Sequence, residues 1–162
     1  DDLSVMQDYL QAVDDCAQQC VKMLEVESEK RRALMNNEGK NIEAAVKTQQ
    51  AALMKLETLE TRRMQLQEEL GFDRSMTVSE ILDRLPEGPE RERLRELAQS
   101  LKDAAAELRE QNRQSLELAK LDMRLIESLR GKAGLPETGA GLYAPRKMQD
   151  RPMGSGKFNS SF

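Results

Sequence analysis

The chain has 162 residues, about one domain's worth, with 33% charged residues, 3% aromatics and no Trp. That mixture, rich in Glu, Lys, Arg, Gln, Leu and Ala, belongs to long helices and excludes a sheet core. Net charge is −4, with residues 131–162 at +3 and the body at −7, and an acidic body argues against nucleic acid, which rewards concentrated Lys and Arg.

The first predicted helix spans about 3–35. Apolar or small residues fall at Leu3, Met6, Leu10, Val13, Ala17, Cys20, Leu24 and Leu34, the alternating three-and-four spacing of a heptad seam. Glu27 and Arg31 interrupt it. The spacing favours a local stutter that turns both charges outward; the other reading is a buried polar pair that fixes register. Asn36-Asn37-Glu38-Gly39 ends the helix, with Asn and Gly as the residues that tolerate a left-handed cap.

The second helix runs from about 41 to 70. Its seam is Ile42, Ala45, Ala52, Leu56, Leu59, Leu66 and Leu70, widened by Val46 and Leu53 and interrupted by Gln49 and Arg63. Gly71 closes it. Thr77-Val78-Ser79-Glu80 has the form of a capping box and opens a short helix to Leu85. Pro86, Gly88 and Pro89 stop that helix and restart the chain into the last long one, about 90–130.

The last helix begins with one apolar stripe, at Leu94, Leu97, Leu101, Ala104 and Leu108. Gln111, Asn112 and Ser115 form a polar patch in mid-seam, and beyond it there are two stripes. Leu118, Leu121, Leu125 and Leu129 are assigned as the continuation of the first; Leu116, Ala119, Met123 and Ile126 form a second. At ~100° per residue their centres lie roughly 130° apart. One stripe suffices to join a helix to its own core, so the second needs another partner. Leu116, Ala119, Leu121, Met123, Leu125 and Ile126 are therefore the candidate partner-binding residues, framed by Lys120, Arg124 and Arg130.

The expected architecture is all-α: an elongated antiparallel bundle of three long helices plus one short helix over residues 1–130. Residues 131–162 form a Gly/Pro/Ser-containing tail with too little apolar surface to offset its ordering entropy, so it is expected to be disordered. There is no apolar leader at the start and no run of ~18 apolar residues, so no membrane insertion is expected. Two cysteines without a secretion signal fit a reducing cytoplasm.

Chemistry is sparse. The chain has no His, which removes histidine general bases and the common zinc sites. Gly131-Lys132-Ala133-Gly134 follows a helix and lacks the phosphate-loop spacing. Cys16 and Cys20, four residues apart on the first helix, are best taken as two small buried hydrophobes. No catalytic residue, metal or cofactor is expected. Nine Met residues fit gap filling in a narrow bundle or, at the surface, adaptable binding.

Taken in order, several features resemble the FlgN family of bacterial flagellar export chaperones over roughly residues 10–130. They are Leu24 followed by Glu27, Lys30 and Ala33-Leu34, then the break at 36–39. Gln49-Gln50, Leu53, Leu56, Leu59, Arg63, Leu66 and Leu70-Gly71 come next. The short helix from Thr77 to Leu85 follows, and then a last helix with Asn112 in its middle and an apolar C-terminal half. The resemblance implies a cytoplasmic chaperone, not an enzyme. Its clients would be the hook-associated proteins of the hook–filament junction, FlgK and FlgL, whose terminal helical segments it holds until export. It also implies that the C-terminal part contacts the client and that a tyrosine after the last helix docks to the export-gate component FlhA. Tyr143 is the only candidate for that role. Competing readings are a structural coiled-coil adaptor, in which the second stripe makes a homodimer, and a carboxylate enzyme, which the missing His and Gly-rich loop disfavour.

Overall fold

The computed structural model describes residues 2–133, with side chains through Leu121 and at Arg124. Four helices follow one another, α1 (Asp2–Met35), α2 (Gly39–Glu69), α3 (Val78–Arg84) and α4 (Pro89–Ala133), and there is no strand among the described residues. The fold is all-α, three long helices and one short. No Gly or Pro interrupts α1, nor α2 after its first residue, so nothing in either sequence breaks the hydrogen-bond ladder.

α1 is the central helix and packs along both α2 and α4. Cross-helix bonds give the directions. Gln19 donates to the Ala52 carbonyl at 3.0 Å and Lys30 to Gln49 at 3.0 Å, so α1 and α2 are antiparallel. Arg93 approaches Asp14 at 3.8 Å and Lys30 reaches Asn112 at 3.3 Å, so α4 runs parallel to α1. At ~1.5 Å per residue α1 is about 50 Å long and α4 close to 70 Å.

The helix ends follow from local chemistry. At the end of α1, Glu38 N–H donates to the Ala33 carbonyl and Asn37 N–H to that of Leu34. At the end of α2, Phe72 N–H and Gly71 N–H do the same toward Gln67 and Glu68. Both are Schellman closures, which need one left-handed residue. Gly71 supplies it in the second with φ +88°. In the first it is Asn37, with φ +56°, whereas Gly39 is already the first residue of α2. Glu80 N–H donates to Thr77 Oγ1 at 3.1 Å and starts α3, and Pro89 occupies the first position of α4.

The core falls into two clusters. The larger joins Tyr9, Leu10, Val13, Cys16, Cys20 and Met23 of α1 to Leu56 and Leu66 of α2 and to Leu94, Leu97, Leu101, Ala105 and Leu108 of α4. Val78, Ile81 and Leu85, from α3 and the residue after it, belong to the same cluster. The smaller lies at the α1–α2 hairpin and consists of Ala33, Leu34, Ile42 and Ala119, with Val46 and Leu118 packed against it.

Between them lies a polar layer that corrects the stutter expectation. Glu27 is fully buried, and so is Lys30, which takes the inner position while Arg31 stays half-exposed. Lys30 Nζ lies 3.0 Å from Glu27 Oε2 and also donates to Gln49 and Asn112. Gln49 in turn donates to Glu27. Burial lowers the Lys30 pKa and the Glu27 carboxylate opposes that shift. A second buried polar group sits in the larger cluster. Arg63 pairs with Glu60 at 3.6 Å and donates to Gln67 at 3.0 Å. Gln67 donates to the Asp73 and Met76 carbonyls, both at 2.8 Å, and so pins the α2–α3 connection.

Candidate functional site

The site begins with the phase of α4. Its inner positions run through Leu101, Ala104, Ala105 and Leu108 to Ser115 and Ala119, all buried. Ala119 is 1% exposed among Ala33, Leu34 and Ile42. The inner face therefore continues through the polar patch to Ala119. The spacing had put Ala119 on the second, partner-facing stripe; its packing closes it off inside the protomer. Leu116 and Leu118 are half-buried, and Leu121 is 55% exposed. The side chains of Met123, Leu125 and Ile126 lie outside the described ones, as does Tyr143 with the whole of 134–162.

The length of α4 explains why surplus matters here. Arg31 bonds Gln114 at 2.7 Å, and Ala119 packs at the level of Ala33 and Leu34. α1 stops at Met35 and α2 starts at Gly39. The 14 residues of α4 after Ala119 thus extend about 21 Å beyond it, past the level at which α1 ends and α2 begins. Position 121 is the first apolar residue of this overhang and positions 123, 125, 126 and 129 follow. Arg124 is exposed, and Lys120 lies 3.8 Å from Glu117.

Other parts of the molecule offer less. Cys16 and Cys20 are free thiols inside the larger cluster, and burial pushes each up to about 12, so they stay protonated and inert. Tyr9 is likewise raised to about 12 by burial, while Arg63 beside it acts in the opposite direction; its hydroxyl lies outside ordinary hydrogen-bond geometry. No group of three or more His, Cys, Asp or Glu is placed to hold a metal among the described residues. An open groove of about 450 Å³ between α1 and α2 has Val26, Ala44 and Ala45 among its lining and Glu25, Glu29, Arg32, Asn41 and Thr48 around them.

The FlgN protein family model matches residues 6–133, which takes in all but the first few residues of the four helices. The chain belongs to the FlgN family. FlgN proteins are flagellar export chaperones, not enzymes. The FlgN match ends at Ala133, where α4 ends, and so includes the whole overhang. No curated protein and no solved structure matches the chain. No helix among the described residues is long and apolar enough to cross a membrane.

Sequence reasoning missed Met35, which at 70% is the most exposed large hydrophobic residue of the described part. It stands after the last seam position, so periodicity gave it no role. The Lys30 layer was also missed. Its signal was the three-residue spacing from Glu27 to Lys30, which puts both on one face.

Proposed function

We propose that this chain is a cytoplasmic chaperone for hook-associated proteins of the FlgK and FlgL type. It holds their terminal helical segments, prevents premature assembly and delivers them to the FlhA-type component of the type III export gate. The observation that carries the reading is the α4 overhang, an apolar stretch of helix that continues past the level at which α1 ends and α2 begins. A client helix that lays its apolar stripe against such a surface buries both stripes by helix-on-helix packing. Leu116, Leu121, Met123, Leu125 and Ile126 are the residues assigned to the contact, and Tyr143 is assigned to gate docking. Ala119 acts behind them by fixing α4 to α1 and α2.

The test is titration of purified FlgK-type and FlgL-type proteins into the full chain, wild type and Leu121→Asp/Leu125→Asp. Two leucines lost from a buried contact correspond to about 3–6 kcal/mol, a hundredfold or more in Kd. Helicity by circular dichroism should not change. Unaltered affinity in the double variant would overturn the reading, as would a collapse of the fold, since both residues would then be core. A tight dimer in light scattering that this variant dissociates, with clients unbound by wild type, would point to the homodimeric scaffold instead.

A further inference from the structure

Two strongly exposed apolar residues lie near the hairpin end of the bundle. Met35 is the last residue of α1 and is 70% exposed; Leu121 of α4 is 55% exposed. The helices that carry them are adjacent and parallel. Arg31 donates to Gln114 at 2.7 Å, which fixes the register. Met35 follows Arg31 by one helical turn, and Leu118 and Leu121 follow Gln114 by one and two turns. Leu118 is half-buried against the smaller cluster. Met35, Leu118 and Leu121 thus occupy the step at which the two-helix face of α1 and α4 gives way to α4 alone.

The charges around this step have a sign. Glu117 is engaged by Lys120 at 3.8 Å, and Arg32 by Glu29 and Glu38. Arg31 is bonded to a neutral partner, Gln114, and Arg124 is exposed one turn beyond Leu121. Among the described side chains of α1 and α4 at this step, the charges outside these pairs are Arg31 and Arg124, both positive. A helix with an apolar stripe and acidic flanks matches that pattern, whereas a second copy of this step would set arginines against arginines.

We infer that α1 takes part in client binding: the client helix sets its apolar stripe over Met35, Leu118 and Leu121, and its acidic edges against Arg31 and Arg124. This rests on the chaperone reading and extends the site from the overhang onto the first helix. Met35 then serves as the anchor that aligns the client along α4, since the overhang alone presents one helix and no groove.

The experiment compares binding of a purified FlgK-type protein by the full chain, Met35→Asp, Leu121→Asp and Arg124→Glu, with the thermal melt of each as control. Met35→Asp should weaken binding about tenfold and leave the melt unchanged, because the side chain packs on little in the free protein. Met35→Leu should restore affinity. Arg124→Glu should cost a few-fold, and the loss should disappear in ~0.5 M salt. A photo-crosslinking residue at position 35 should give a client adduct. If Leu121→Asp weakens binding while Met35→Asp does not and position 35 gives no adduct, the inference falls and the chaperone reading stands. If wild type binds no hook-associated protein, both fall. If Met35→Asp changes only self-association, a second copy occupies the step and the inference is wrong.

Discussion

The two ends of the bundle are built differently. At the α3 end, all four helices contribute to one large cluster, and Val78, Ile81 and Leu85 cover the start of α4. At the hairpin end, beyond the Glu27–Lys30 layer, the enclosed apolar residues among the described ones are Ala33, Leu34, Ile42 and Ala119, while Val46 and Leu118 are half-buried and Met35 and Leu121 exposed. Enclosed packing concentrates at the α3 end; Leu3, Val21 and Met54 are also exposed, but singly, whereas Met35 and Leu121 both fall near the hairpin end. A protein that must hold a partner and later release it needs a surface left incomplete. The large cluster lets the rest of the molecule stay folded while that surface is open.

The largest blow to this division falls on the layer between the two ends. Lys30→Ala leaves the buried Glu27 carboxylate without its cation and should cost about 3–5 kcal/mol in urea unfolding. Glu27→Met/Lys30→Met removes both charges and should recover most of that loss; no recovery would mean that the layer supplies packing, not charge balance. Next come the clusters themselves. Leu101→Ala should lie toward the upper part of the 2–5 kcal/mol range for such truncations and Leu34→Ala toward the lower, because a site near an open end collapses more easily. Equal costs would erase the contrast between the ends.

A smaller effect belongs to the large cluster alone. Burial raises Cys16 and Cys20 from 9.0 to about 12, so above pH 9 the unfolded chain releases their protons first. The stabilisation is fully present below pH 9 and is lost between 9 and 12, by about 1.4 kcal/mol per pH unit for each thiol. Cys16→Ala/Cys20→Ala should flatten that slope between pH 9 and 10. A slope that persists unchanged would mean the thiols are reached by solvent.

Much of the frame was legible in the sequence because single residues dictate it. Gly71 permits the left-handed closure of α2, Thr77 caps α3 and Pro89 opens α4. Asn37 rather than Gly39 closes α1 because the two hydrogen bonds to Ala33 and Leu34 select the position, and composition names only the candidates. The Lys30 layer was legible only in part: the spacing of Glu27 and Lys30 puts both on one face, but Gln49 and Asn112 lie far off in the chain and meet them only after α2 and α4 dock. The inner place of Ala119 was missed for a related reason. Asn112 and Ser115 are inner positions filled by polar residues, so an apolar stripe followed past Leu108 loses the inner face there. Two apolar stripes beyond Ser115 were legible; that Ala119 belongs to the core depended on what lay behind Ser115.

The central place of α1 carries a consequence for biosynthesis. Lys30 and Asn112 are separated by 82 residues, so α1, synthesised before α2 and α4, waits for α4 before its second side is covered. The α1–α2 hairpin forms early from near neighbours, and the overhang emerges only after the segment that anchors it. A nascent chain interrupted between α2 and α4 would expose Leu10, Val13 and Cys20 together, and would itself need the kind of protection that the finished molecule gives to others.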